Sequence, residues 1–170
     1  DTIIQWALLA LLFGIGAELG STSGLAARIK NLGPAVLWVP ASIAVGSLAA
    51  TAIAGAALGY TMAEGAAVGA GFGWYSLSAV LISQQYDVSL GAVAFLANVF
   101  RELAAILTIP WIARNVGHLA AVAPGGATTM DVTLPLIAKT TSREITVIAF
   151  VSGLALSGLV PLLVPLLLAL

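Results

Sequence analysis

The sequence contains no cysteine and a single histidine, His118. Without cysteine there are no disulfides, no thiolate nucleophile and no cysteine-ligated metal. One histidine beside seven carboxylates leaves little for a metal cage, so neither a metal site nor a cofactor is expected. Charge is scarce too: 8% of the 170 residues are charged, against about 25% in an ordinary soluble domain, too few to cover a soluble surface of this size. A net charge of −1 gives no electrostatic footprint for nucleic acid or for an anionic surface. The stretch from Thr2 lacks a basic flank and a small-residue cleavage site, so no cleavable signal is read there. The chain opens on Asp1 rather than Met, which fits the removal of a leading piece.

What fills the chain instead is apolar: 61% hydrophobic residues and a mean hydropathy of +1.11. Lipid is the expected solvent. The first apolar run, residues 2–19, is short for a span, since about 20 residues cross roughly 30 Å of hydrocarbon. A polar connector, residues 20–34, carries Arg28 and Lys30. Residues 35–60 follow, with Trp38 near one end and Tyr60 at the other, where amphipathic aromatics favour an interface. Residues 62–83 are interrupted by Gly65, Gly69, Gly71 and Gly73, whereas residues 88–112 read as one continuous helix. Residues 118–138 are interrupted at Pro124-Gly125-Gly126, and residues 145–170 carry Pro161 and Pro165, which are expected to kink the last helix.

These lengths predict an all-α integral membrane protein, one transmembrane transporter domain over residues 1–170. It has about four continuous spans plus two glycine-broken helices or re-entrant hairpins. Each half of a broken segment is about ten residues, or about 15 Å, which reaches mid-membrane and stops. The breaks, residues 71–76 and 125–130, are therefore expected to meet at mid-depth. If both segments are hairpins, the loops holding Arg28, Lys30, Arg114, Lys139 and Arg143 fall on one side. If both cross, Arg114 moves to the other side. The preference of basic residues for the cytoplasmic side thus favours hairpins, by one residue. Opposed hairpins would also be the arrangement of an inverted repeat.

Arg101 and Glu102 lie mid-way along the 88–112 helix, where an ionised group costs roughly 2.5–3.5 kcal/mol and so usually faces protein or a cavity. A purely structural ion pair between helices is the plainer alternative. Asn98, three and four residues earlier, borders both. Asp131 follows the second break, with Thr128 and Thr129 beside it; it can cap a half-helix, bind a ligand, or do both. The first break combines Gly73 with Trp74, Tyr75 and Ser76. Its freed amides suit a carboxylate and its aromatics suit an ammonium, although Gly65, Gly69 and Gly73 also form a ladder for close helix packing. Gly125 and Gly126 supply the second break. Glu18, Glu64 and Asp87 lie near segment ends, where charge is ordinary. Gly55, Gly59, Gly153 and Ser157 offer surfaces for close helix contact, and so for a homodimer.

Three motifs resemble the LysO-type lysine exporter family of bacteria and archaea. They are Gly71-Phe-Gly-Trp-Tyr-Ser-Leu-Ser78, Asn98-Val-Phe-Arg-Glu-Leu-Ala-Ala-Ile106 with Pro110, and Gly125-Gly-Ala-Thr-Thr-Met-Asp131 with Thr133 and Pro135. The match runs from about Leu11 to the C-terminus. It implies a transporter, not an enzyme, that exports L-lysine and analogues such as thialysine across the cell inner membrane. It also implies that Glu102 and Asp131 fall on the family's intramembrane acidic positions. Many members carry an extra hydrophobic region ahead of the matched part, so a second copy or a separate chain is expected to complete the structure.

Lysine presents two ammonium groups and a carboxylate. Glu102 and Asp131 are expected to take the former, and break amides or Arg101 the latter. Exchanging one lysine cation for one proton moves no net charge, which removes a penalty of about 2.3 kcal/mol per charge per 100 mV. Proton antiport is therefore the expected coupling, with sodium coupling, or an ion channel or passive pore, as the alternatives. An intramembrane aspartyl protease would need two carboxylates sharing a proton, and one Glu and one Asp in unrelated contexts suit it poorly.

Overall fold

The computed structural model describes residue 6 and residues 33–170, so the 2–19 run and Glu18, Arg28 and Lys30 lie outside the described residues. The described residues are helices and turns without a strand. α1 runs over Ala35–Ala57, α2 over Met62–Gly69 and α3 over Tyr75–Gln85. α4 runs over Val88–Asn115, α5 over Leu134–Thr140 and α6 over Arg143–Leu168. α1, α4 and α6 are long and apolar enough to cross a membrane. Large apolar side chains such as Leu37, Ile53, Phe100, Leu107 and Leu162 point outward, as lipid requires and water does not permit on this scale.

Helix starts follow local chemistry. Thr61 caps α2 in a reciprocal box: its side chain accepts the Glu64 N–H while Glu64 accepts the Thr61 N–H at 2.7 Å. Asp87 caps α4 through the Leu90 N–H, and Ser142 caps α6 through the Ile145 N–H. α3 and α5, which begin at the breaks, have no side-chain cap. Pro161 and Pro165 sit within α6 without ending it.

The first broken segment divides as expected, into α2 and α3. The second differs: its entry holds only a 3-10 turn at Ala120–Val122 in place of an α-helix, and a second 3-10 turn, Gly126–Met130, precedes α5. Pro124 has no N–H to carry a helix onward, although Ala123 before it keeps α-region dihedrals, φ −60° and ψ −43°.

α6 is the hub, packing on α1, α2, α3, α5 and the Gly126–Met130 turn. In lipid there is no hydrophobic drive between helices, so close backbone approach does the work. Gly55 of α1 lies on Gly65 of α2, where an added Cβ would be 2.7 Å from the Gly65 Cα. Gly69 abuts Thr51, and Gly153 of α6 abuts Ala127 to Met130. Gly55 and Gly153 are thus spent inside the chain, and Gly59 lies past the end of α1 in a turn with φ +91°. The Gly55–Gly59 pair is therefore no helix-dimer motif. Tyr86, just past the end of α3, donates its hydroxyl to Glu64 at the start of α2 at 2.8 Å, so this segment begins and ends at one place. The last residues of α6 and the C-terminus border the same spot.

Candidate functional site

The two breaks touch. The Ala127 N–H donates to the Phe72 carbonyl at 2.8 Å. Phe72, fully buried, holds φ +48°, a left-handed conformation costing about 1–2 kcal/mol for a residue with a Cβ. Gly126, at φ +59°, sits against that same carbonyl, where any Cβ would collide. Gly73, at φ +101°, would bring a Cβ within 3.3 Å of the Gly125 carbonyl oxygen.

α4 supplies the side chains that hold this junction. Asn98, 2% exposed, accepts the Gly73 N–H at 2.7 Å on Oδ1. Its Nδ2 donates to the Val68 carbonyl at 3.1 Å, to its own helix at Ala94 and, at 3.4 Å, to Ser78. Arg101 donates to the Pro124 and Ala123 carbonyls and to Ser47 of α1. Arg101 forms no salt bridge with Glu102: the two adjacent side chains line different cavities.

On one side of the junction lies a cavity of about 190 Å³. It is lined by Gly73, Trp74, Tyr75 and Ser76 from the first break, Thr128 and Asp131 from the second, and Glu102 from α4. That volume is well beyond the about 10–15 Å³ that one water needs. Asp131 is exposed; among the described residues its carboxylate accepts only the neighbouring Val132 N–H at 2.6 Å, and it caps neither α5 nor α6. The Tyr75 ring is held edge-on by Phe95, centroids 5.4 Å apart. Two carboxylates and two aromatic side chains around one hollow can hold an organic cation.

Seven of the sequence-derived candidates therefore share this hollow. Asn98 and Arg101 line a second cavity of about 360 Å³ between α1 and α4. Gly125 and Gly126 shape the junction backbone, and Thr129 is buried with its hydroxyl on the Gly126 and Ala149 carbonyls. Ser157 of α6 and Met130 also line the smaller cavity, and the Ser157 hydroxyl reaches the Met130 sulfur at 3.5 Å. Ser157 is one of three hydroxyl residues in α6, with Thr146 and Ser152, and the sequence marked it only as a surface for close helix contact. Nothing in the sequence marked Ser47 as the partner of Arg101. Among the described residues no three His, Cys, Asp or Glu side chains come together to hold a metal.

Long apolar helices around a carboxylate-lined hollow define a helical membrane protein. Comparison narrows the class: residues 1–168 match the family described as Lysine exporter LysO, and the chain belongs to that family, one of exporters rather than enzymes. It is 34% identical over 160 residues to the lysine exporter LysO of Escherichia coli (strain K12), covering 94% of this chain and 53% of the relative. It is 32% identical over 158 residues to a Haemophilus influenzae protein named provisionally as a lysine exporter, covering 93% of this chain and 80% of that one. The chain thus spans about half the length of the Escherichia coli relative. No solved structure matches it.

Proposed function

We propose that this chain carries the substrate pathway for L-lysine export across the cell inner membrane, by exchange for protons. The carrying observation is that Glu102 and Asp131, from separate segments, line one hollow with Trp74 and Tyr75. Each carboxylate holds either a lysine ammonium or a proton, and the aromatic faces shield the ammonium from competing water. The uncapped start of α3 at Ser76 offers amides to the lysine carboxylate.

Both broken segments are re-entrant hairpins in this reading, entering from opposite faces and meeting at mid-membrane. The Tyr86–Glu64 bond supports this for the first segment. For the second, α4 leads away from that face and α6 returns to it, so residues 118–141 begin and end at the other. The working unit is a homodimer, whose contact the outward faces of α1 and α4 can supply.

Lysine efflux from proteoliposomes and melting temperature, measured together on Glu102→Gln and Asp131→Asn, test the site. The expected outcome is folded protein with coupled efflux abolished in both variants. Normal efflux from both variants sinks the assignment. Counterflow distinguishes a carrier from a channel, because only a carrier is stimulated by lysine on the far side.

A further inference from the structure

The carbonyl ends of both broken segments converge on one side chain. Arg101 Nε donates to the Pro124 carbonyl at 3.1 Å and Nη2 to the Ala123 carbonyl at 3.3 Å, gripping the backbone that enters the second break. Nη1 donates to Ser47 Oγ at 2.6 Å. That hydroxyl donates onward at 3.2 Å to the carbonyl of Gly69, the last residue of α2. One guanidinium therefore reaches α1 and both breaks. Its carbonyl acceptors follow the Ala120–Val122 turn, and the one reached through Ser47 ends α2, where orphan lone pairs and partial negative charge collect. A planar fork of donors can serve acceptors in several directions at once; an ammonium on a flexible stem is less suited to that task.

Direction matters as much as number. The guanidinium lies behind the junction, in the cavity between α1 and α4, while Glu102 lines the hollow in front. A Cβ on Gly126 would stand 2.9 Å from Nη2, so the cation backs the very turn whose far side forms the wall of the carboxylate hollow. The carbonyl ends face Arg101, and the uncapped amide end of α3 faces the hollow.

We propose that Arg101 is a positioning residue. With Ser47 as relay, it clamps the carbonyl ends of the two broken segments and so sets the width of the substrate hollow, and it binds no substrate carboxylate. The proposal rests on the lysine reading for its purpose, but the clamp itself can be tested without it.

The chain has no cysteine, so a single Ala127→Cys reports on the junction. Ala127 is 3% exposed and bonded to Phe72. The full chain in lipid vesicles is treated with a small water-soluble thiol reagent, and the labelling rate is read. Adding Ser47→Ala is expected to speed labelling at least about tenfold, the lower end of what one hydrogen bond to a charged group is worth. Adding Arg101→Gln is expected to speed it further, and Arg101→Lys nearly as much. Unchanged labelling in the Ser47→Ala and Arg101→Lys backgrounds overturns the clamp, whether or not Arg101→Gln folds.

A second arm separates positioning from ligation. Inhibition of lysine counterflow by lysine and by lysinamide, which lacks the carboxylate, is measured with and without Arg101→Lys. A clamp weakens both inhibitors by the same factor; weakening of lysine alone overturns the proposal. Absence of counterflow in the unsubstituted chain defeats the lysine reading and leaves the labelling rates to decide the clamp.

Discussion

The two breaks solve one problem with different side chains. At the first, the buried Gly73 N–H needs an acceptor, and the Val68 carbonyl, which already takes the Gly71 N–H at 3.3 Å, accepts a second donor. Only a group that gives and takes can satisfy both, and Asn98 does so with a neutral amide. At the second, Ala123 and Pro124 present carbonyls alone, beside the cavity between α1 and α4. A pure donor suffices there, and Arg101 is one. The chemistry of each clamp follows from what its break leaves unpaired. Both clamps stand on α4, one turn apart, directly beside Glu102.

This contrast can be broken in graded steps. The largest expected effect is Asn98→Leu, which strands the buried Gly73 N–H at a cost of about 1–3 kcal/mol and also removes the bonds to Val68, Ala94 and Ser78, about 0.5–1.5 kcal/mol each. Folded yield and melting temperature should fall well beyond those of Arg101→Gln, whose carbonyls include that of the exposed Ala123 and can find other partners. Equal losses would mean the breaks are not held differently.

A smaller effect is expected at the junction glycines. Gly73→Ala and Gly126→Ala each force a left-handed alanine, about 1–2 kcal/mol. Gly126→Ala also drives a methyl into the Phe72 carbonyl, adding about 1–3 kcal/mol of overpacking, whereas Gly73→Ala meets its nearest atom at 3.3 Å. Melting curves should therefore rank Gly126→Ala as the more damaging, and the reverse order would argue against the Phe72–Ala127 contact as the seam.

The smallest effect belongs to a helix start at a segment end. Thr61→Ala removes one cap of α2 and should lower stability by about 1 kcal/mol. Lysine transport should be unchanged, because no part of the cap reaches the hollow. A transport defect of the size seen in the site variants would show that the segment ends are not independent of the breaks.

Most of the architecture was legible because it is written in local chemistry. Apolar run length, glycine and proline interruptions and capping residues gave α1, α4 and α6 within a few residues, and both breaks. Seven of the eleven residues that line the smaller hollow were legible too, because charge, hydroxyls, paired aromatics and a broken backbone are conspicuous in a lipid-soluble chain. The helical entry to the second break was misjudged, since an apolar stretch says little about whether its turns are α or 3-10.

The sequence by itself determined that this chain lives in lipid, where it breaks, and which side chains carry charge into the membrane. Only the tertiary structure decided that adjacent Arg101 and Glu102 serve opposite cavities, that Thr129 is tied to α6, and that Gly55 and Gly153 are used up within the chain. The reason is physical. Solvent preference and backbone propensity act residue by residue and can be read along a string. Which cavity a side chain enters depends on where distant segments touch, and here the two breaks meet at Ala127 and Phe72, 55 positions apart (127 − 72).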